Sequence, residues 1–289
     1  MPVHPPPPPL SDAPLLPGLY VVATPIGNLR DITLRALDVL SQADLVLAED
    51  TRVTGKLLNA YRLSKKMVRY DEHAAASTRP RVLAALAEGQ RVALVSDAGT
   101  PLISDPGYRL VREAVAQGSA VFPIPGASAV MAGLTLAGLP TDRFLFAGFP
   151  PPKSAGRRTF FAELAPVRAT LVFFEGGSRL AASLADMAAV FGPREAAVTR
   201  ELTKLHETAI RGLLPDLAAD PRLDAPKGEI VVLVGPGEEV AATAQDADTA
   251  LTEALTRLAP GEAASEVARQ LGLNRRELYR RALDLKGAS

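Results

Sequence analysis

Short apolar runs alternate with amphipathic segments along the first half of the chain. These runs are residues 19–24, 45–48, 67–70, 92–95 and 120–123. Between the first two runs, Leu34, Leu37 and Leu40 recur at helical spacing after Thr33, a residue suited to capping a helix. Alternating strands and helices predict a mainly parallel sheet with helices on its faces.

A second unit is expected from Pro125 onwards. Its apolar runs are residues 144–147, 170–175, 196–198 and 229–234. Because these runs are fewer and their connections vary more in length, mixed strand pairing is predicted here. A helix rich in small residues is expected over residues 127–137, and a loop over 150–158.

The two ends of the chain differ from this core in composition. Residues 5–9 are all proline, which is typical of a disordered extended tail. Small and acidic residues fill 235–248, as in a linker. Two helices at 264–271 and 275–285, separated by a turn at Gly272, have helix-turn-helix spacing.

The sequence therefore predicts an α/β fold in five parts. They are a disordered Pro-rich tail (1–16), an N-terminal lobe with a mainly parallel sheet (17–124), a second lobe with a mixed sheet (125–236), a linker (237–248) and a C-terminal helical domain (249–289).

Composition excludes several kinds of protein and site. The formal net charge of the 289 residues is zero, so no chain-wide basic field attracts nucleic acid. The absence of cysteine excludes disulfides and thiolate metal sites, and the three scattered histidines make a histidine-rich metal site unexpected. No apolar run reaches about 18 residues, and no secretory signal pattern is present, so we expect a cytoplasmic protein without a membrane span.

The most informative stretch is residues 91–107, an apolar strand that breaks into Ser-Asp-Ala-Gly-Thr-Pro. Small and turn-forming residues directly after a buried strand are typical of a ligand site at the carboxyl edge of an α/β sheet. The loop after the first strand, residues 24–29, is neither GxGxxG nor a phosphate-binding P-loop. Pyrophosphate binding is therefore disfavoured. Binding of a smaller ligand by backbone groups of this loop is the alternative.

Six motifs together resemble one family. They are TPIGNLRDIT, AEDTR, SDAGTPLISDPG, PGASA, TRELTK and GEIVVLV. In order and spacing they resemble the bacterial 16S rRNA (cytidine-2′-O)-methyltransferases, of the tetrapyrrole-methylase-like class of S-adenosylmethionine (SAM) enzymes. The resemblance covers roughly residues 18–235 and resumes in the C-terminal helical part. It implies two α/β lobes with SAM between them, a homodimer, and methylation of a cytidine ribose in the decoding region of 16S rRNA or the small subunit. No metal is expected, on the grounds of composition given above.

By position in these motifs, the resemblance also implies a set of cofactor-binding residues. They are Pro25, Gly27, Asp97, Ala98, Gly99, Thr100, Ser128, Ala129, Glu175, Glu229 and Ile230. For Asp97, capping of its own loop is the alternative.

The transferred methyl group of SAM is already activated, so the reaction needs placement of the nucleophile and help in deprotonating a ribose hydroxyl. The carboxylates expected at strand ends are Asp50, Asp105 and Glu201, and the sequence does not choose among them. Arg52 and Lys204 are candidates for steadying negative charge or holding a phosphate. A local ion pair or helix cap is the alternative for Asp50 and Arg52.

Two basic segments are candidate RNA contacts. The first is the loop containing Lys153, Arg157 and Arg158, and the second is the last helix with Arg275, Arg276 and Arg280. Ordinary solvation of the loop, and packing of the last helix as a small cap, are the alternatives. His73 and His206 are weaker candidates for RNA binding or proton transfer.

Two other functions are compatible with the pattern. One is methylation of a tetrapyrrole intermediate by the same fold, although a small anionic macrocycle needs neither the basic loop nor the helix-turn-helix. The other is a SAM-responsive regulator whose C-terminal part binds nucleic acid. Polar loops at the ends of several strands favour catalysis.

Overall fold

A computed structural model of the chain describes residues 10–104, 106–237 and 244–287. The chain divides into two compact units, Met1–Gly237 and Glu238–Ser289. The first unit contains two α/β lobes, each with its own five-stranded sheet. The predicted fold class, including the helix-turn-helix in the second unit, is confirmed.

The first sheet is entirely parallel, as the alternating pattern predicted. Its strands are β1 (Gly18–Val22), β2 (Leu45–Ala48), β3 (Met67–Arg69), β4 (Arg91–Val95) and β5 (Val121–Ile124), in the order β3-β2-β4-β1-β5. Four helices connect them: α1 (Leu34–Gln42), α2 (Thr51–Ala60), α3 (Ala75–Ala87) and α4 (Tyr108–Ala116). The ends of β1, β4 and β5 therefore meet at one edge of the sheet.

Helices cover both faces of this sheet, which explains why its strands are mostly apolar. In β4, Ala93 and Val95 pack with α1, while Val92 and Leu94 pack with α3 and α4 on the opposite face. Successive side chains of a strand point to opposite faces, so one apolar run contributes to the core on each face of the sheet.

The first lobe extends back beyond its predicted start at residue 17. Ser11 donates its backbone N–H to Asp38 in α1 over 2.7 Å, and Leu15 packs against the same core as α1. Residues 10–16 of the expected disordered tail therefore lie against α1 because Leu15 buries apolar surface there. Residues 1–9 lie outside the described part of the chain.

The second lobe has the expected mixed sheet. Its strands are β6 (Phe144–Phe146), β7 (Thr170–Gly176), β8 (Glu195–Arg200), β9 (Thr208–Leu213) and β10 (Glu229–Val234), in the order β6-β7-β10-β8-β9. Only the β6–β7 pair is parallel. The helices are α5 (Ala129–Ala137), α6 (Ser154–Leu164), α7 (Gly177–Phe191) and α8 (Leu214–Ala219). The loop predicted at 150–158 is thus helical from Ser154 onwards.

Helix α5 covers one face of this second sheet, and Ile26 of the first lobe joins its core. Ile26 packs in one cluster with Val130, Leu134, Leu202 and Val231. The other face is covered by α6, α7 and α8. Burial of Ile26 in the second lobe's core fixes the loop after β1 between the two lobes.

The C-terminal unit is a three-helix bundle. It comprises α9 (Ala244–Leu255), α10 (Pro260–Leu271) and α11 (Arg275–Gly287), whose core includes Leu251, Val267 and Leu278. The predicted linker, 237–248, is corrected at its end, because α9 begins inside it and buries Ala247. Residues 238–243 lie outside the described part.

Across the helices that the structure describes, none combines the length and apolar character of a membrane span.

Candidate functional site

A cavity of about 380 Å³ opens between the two lobes of the first unit. Such a volume suits a small-molecule ligand. The first lobe contributes loops after β1, β4 and β5, and the second contributes the end of β7, the start of β10 and nearby loops. The lining residues are Ile26, Ala98, Gly99, Thr100, Ile103, Ser104, Ser128, Ala129, Val130, Phe149, Phe174, Glu175, Gly176, Leu202, Gly228, Glu229, Ile230 and Val231.

Hydrogen bonds join the three loops of the first lobe. Thr24 and Gly99 exchange two backbone bonds of 2.8 and 3.0 Å, which ties the loop after β1 to the loop after β4. The Thr100 hydroxyl donates to the Ala127 carbonyl over 3.2 Å, which adds the loop after β5. Gly99 has φ +81°, a backbone conformation that favours glycine. The three loops are therefore joined to one another along the cavity wall.

Antiparallel pairing of β7 with β10 builds the opposite wall. Ile230 is the register partner of Glu175, and both line the cavity. The Glu175 side chain is fully buried and forms a 2.6 Å ion pair with Arg179, and it also accepts hydrogen bonds from Ser183 and the Gly176 N–H. Because its oxygens are engaged in this network, Glu175 shapes the wall with its backbone.

The loop after β8 carries Glu201, Leu202 and Thr203. Glu201 and Thr203 have φ of +53° and +67°, and Leu202 between them points into the cavity lining. The Glu201 carboxylate accepts from Lys204 Nζ over 2.8 Å and from the Glu229 N–H over 3.0 Å. The hydrogen bond from Lys204 lowers the pKa of Glu201. These two bonds fasten the loop to the start of β10.

Lys204 connects the two lobes. Its ammonium group forms 2.8 Å ion pairs with Glu201 and Glu229, and its methylene carbons lie where a Cβ at Gly27 would stand. Burial lowers the pKa of Lys204, but the bonds from the two carboxylates outweigh it and raise the pKa. The predicted residues Gly27, Glu201, Lys204 and Glu229 are thus brought together at the rim between the lobes.

Asp50 and Arg52 form the local ion pair that the sequence left as an alternative. The Asp50 carboxylate caps α2 by accepting the Arg52 N–H over 2.8 Å, and it also pairs with the Arg52 guanidinium. The side-chain hydrogen bond from Arg52 holds the pKa of Asp50 well below its usual range. Neither residue lines the cavity. Asp105, the third candidate carboxylate, lies outside the described residues.

Asp97 likewise holds a neighbouring loop. Its carboxylate accepts the Asp50 N–H over 2.9 Å, joining the loops after β2 and β4. Glu49, just before Asp50, was not among the carboxylates that the sequence singled out, but its pKa is shifted. Burial raises the pKa of Glu49, and the nearby charge of Asp97 raises it further. Its position at a strand end within AEDTR was the available signal.

Of the eleven residues expected to bind the cofactor, eight line the cavity. They are Ala98, Gly99, Thr100, Ser128, Ala129, Glu175, Glu229 and Ile230. Pro25, Gly27 and Asp97 do not line it. The missed lining residues are mostly apolar, including Phe149, Phe174 and Leu202. Nothing distinguishes such residues from core residues in the sequence.

The predicted RNA contact at Arg157 is wrong. Arg157 is buried in α6, its side chain 4% exposed, and it forms a 2.6 Å ion pair with buried Asp186 of α7. Arg158 pairs with the same carboxylate, but its side chain is 58% exposed. Lys153 is exposed, as are His73 and His206. At the start of α6, Lys153 and Arg158 are therefore exposed to solvent, while Arg157 stabilises the contact between α6 and α7.

Comparison with known proteins identifies the chain's family. A model described as tetrapyrrole (corrin/porphyrin) methylases matches residues 18–218, and one described as the RsmI C-terminal HTH domain matches 241–286. "Ribosomal RNA small subunit methyltransferase I" of Mesorhizobium japonicum is 52% identical over 96% of this chain and 95% of its own length. The chain belongs to the ribosomal RNA small subunit methyltransferase I family.

Other relatives agree with this membership. The protein of the same name from Erythrobacter litoralis is 55% identical over 96% of this chain and 98% of its own length. That from Escherichia coli O157:H7 is 43% identical over 93% of this chain and 96% of its own.

Solved structures share the two-lobed fold. A uroporphyrin-III-C-methyltransferase from Thermus thermophilus matches with a TM-score of 0.53 and 25% identity, covering 75% of this chain and 93% of that one. A diphthine synthase matches with a TM-score of 0.58 and 16% identity, covering 75% and 89%. These two proteins are named for different molecules, so the fold alone does not identify the acceptor of this family member.

Proposed function

We propose that this protein transfers a methyl group from SAM to the ribose 2′-hydroxyl of a cytidine in the decoding region of 16S rRNA. The observation that carries the proposal is the preformed cavity between the lobes, in a chain that belongs to a family of ribosomal RNA methyltransferases by name. That the acceptor is the ribose of a cytidine in the decoding region is inferred from the resemblance of the six motifs to the family.

The cavity residues fit SAM. Adenine has apolar faces, and the cavity presents Phe149 and Ile103, which are 57% and 42% exposed in spite of being apolar. A ligand over them would remove that apolar surface from water. SAM also carries cationic groups, and the Glu229 carboxylate in the wall, which is 72% exposed beside its ion pair with Lys204, suits a cation. Backbone groups of residues 98–100 and 128–129 line the cavity and are available to hydrogen-bond the polar atoms of SAM.

The methyl donor supplies an activated methyl group when bound, so the chain's work is to position the acceptor and exclude water. We infer that Asp50, Arg52, Glu201 and Lys204, the four candidate catalytic residues, act by positioning. Both carboxylates have a lowered pKa, which makes each a weak base for a ribose hydroxyl. The Asp50–Arg52 pair caps the start of α2, and the Glu201–Lys204 pair holds the loop after β8 at the cavity.

For the RNA, we propose phosphate contacts by exposed Lys153 and Arg158. We also propose a cytoplasmic homodimer. Exposed apolar side chains support an association surface, since Met131 of α5 is 50% exposed and Leu205 is 93% exposed. Light scattering after size exclusion at several concentrations tests the dimer, and a single monomeric mass at all of them would contradict it.

Labelled SAM tests the proposed reaction. The full chain is incubated with 16S rRNA, with small ribosomal subunits and, separately, with uroporphyrinogen III. We expect label in RNA within the rRNA or the subunit and none in the tetrapyrrole. Transfer to the tetrapyrrole alone would support the rival enzyme, and tight SAM binding without transfer to any acceptor would support the regulator.

A further inference from the structure

The C-terminal unit separates its charges between helices. Helix α11 carries five basic residues and two acidic ones, whereas α9 and α10 together carry five acidic residues and one basic residue. The unit as a whole is therefore nearly neutral, but one of its helices is strongly basic. A positive helix on an otherwise acidic bundle is a local electrostatic feature that the zero net charge of the chain conceals.

The basic residues of α11 also segregate around the helix. Leu278 and Ala282 are buried, and Leu285 packs against the same core. Successive residues of a helix are about 100° apart around its axis. Next to the buried stripe, an arc of roughly 140° around α11 therefore contains no Asp or Glu. Its members, which we call the basic arc, are Arg275, Arg276, Tyr279, Arg280, Leu283 and Lys286. Glu277, Asp284 and Arg281 lie on the remaining side.

Internal contacts distinguish the arginines of α11. Arg281 is ion-paired with Asp248 of α9, and Arg275 donates to the Ser265 hydroxyl of α10 over 2.7 Å. Within the described residues, the side chains of Arg276, Arg280 and Lys286 have no such partner and are exposed. Tyr279 and Leu283, between them, are 44% and 46% exposed. The bundle thus leaves its unpaired cations beside an exposed aromatic ring.

We propose that the basic arc binds structured RNA, with Arg276 and Arg280 on phosphates and Tyr279 stacked on an unpaired base. Phosphate oxygens match the guanidinium groups, and base stacking on aromatic side chains is a common way for proteins to hold unpaired nucleotides. A membrane partner is disfavoured because the apolar stripe of α11 is already buried in the bundle core. The inference rests on the proposed rRNA substrate and assigns that RNA a second contact surface.

The test compares full-length variants of equal charge. Arg276→Ala/Arg280→Ala removes two members of the arc, and Arg257→Ala/Arg269→Ala removes the same charge from elsewhere in the unit, where Arg257 pairs with Glu266. Affinity for 16S rRNA is measured over a salt series. We expect the arc variant to bind at least about tenfold more weakly near 0.1 M salt and to lower the salt slope by roughly 1.5. The control variant keeps the wild-type slope.

Tyr279 gives an independent readout. Tyr279→Phe keeps the ring and should retain affinity, while Tyr279→Ala should lose at least about fivefold. SAM affinity and kcat at saturating RNA should be unchanged in every α11 variant, and circular dichroism should show an intact bundle. Equal losses in the Phe and Ala variants would contradict the stacking.

Other outcomes separate this inference from the proposed function. If wild-type protein methylates rRNA and the arc variant binds that RNA normally, the inference fails alone. If wild-type protein binds rRNA through the arc without transferring a methyl group, the proposed reaction fails and the inference stands. Failure of wild-type protein to bind rRNA, or arc-dependent binding only to a DNA duplex or to anionic vesicles, would overturn the inference.

Discussion

The side chain of Lys204, from the second lobe, lies directly over the backbone of Gly27, from the first. A Cβ at Gly27 would overlap the Lys204 methylene carbons, and the φ of +149° is itself unfavourable for other residues. The ammonium group of the same lysine is held by Glu201 and Glu229. The absence of a side chain at residue 27 therefore lets one lysine join the two lobes at the rim of the cavity.

Gly27→Ala should consequently destabilise the protein by about 2 kcal/mol, through backbone strain and displacement of Lys204. In a Lys204→Ala background the overlap is gone, so the same substitution should cost at least about 0.5 kcal/mol less. Denaturant unfolding of the four proteins measures this coupling. Equal costs in the two backgrounds would show that Lys204 does not depend on the glycine.

Gly99→Ala should weaken SAM binding at least about tenfold, because left-handed backbone strain would shift the loop that forms the cavity wall. Gly89 is the matched control. Its φ of +79° is close to the +81° of Gly99, but nothing lies within 4 Å of an added Cβ and it does not line the cavity. Calorimetric titration should show normal SAM affinity for Gly89→Ala, and equal weakening in both variants would contradict the assignment of the loop.

Arg157→Ala should destabilise the fold by about 3–5 kcal/mol, because it leaves the buried Asp186 carboxylate without its buried partner. Arg158→Ala should cost less than about 1 kcal/mol, since Arg158 is mostly exposed. Thermal unfolding distinguishes the two. If Arg157→Ala is as stable as wild type and merely binds RNA more weakly, the buried ion pair is not the role of Arg157.

Glu49→Gln should raise stability at neutral pH. Burial and the neighbouring Asp97 raise the pKa of Glu49, so its ionised form opposes folding. Below about pH 4 the carboxyl group is neutral in both the folded and the unfolded chain, and the gain should vanish. Melting temperatures from pH 3 to 8 measure it. A gain that is constant over this range, or a loss at pH 7, would exclude the charge as its cause.

The central strands were predictable because each is a continuous apolar run, and β4 with its Ser-Asp-Ala-Gly-Thr loop indicated the cavity correctly. Strand β9 was missed because it is an edge strand with mixed polar and apolar residues, including Thr208 and Arg211. Helix α9 was missed because small and acidic residues are common to linkers and helix starts. Both segments are fixed by packing against other elements, since β9 pairs with β8 and α9 packs against α10 and α11.

In the candidate site, too, some residues were predictable from local sequence and others were not. Gly99 was indicated by the small and turn-forming residues after β4, and Ser128 by the resemblance of its motif to the family. Leu202 and Phe149 reach the cavity only through pairing within the second sheet and could not be assigned from local sequence. Arg157 resembled a solvated loop residue, since its partner Asp186 lies 29 residues away on another helix. Side-chain charge alone therefore did not separate a buried ion pair from an RNA contact.

The position of the transferred methyl group tests the central claim most directly. 16S rRNA methylated with labelled SAM is hydrolysed in alkali, which cleaves RNA only where a 2′-hydroxyl is free. We predict that the label remains in an alkali-resistant dinucleotide whose 5′ nucleoside is cytidine. Label released in mononucleotides would place the methyl group on a base, and would contradict ribose methylation by this protein.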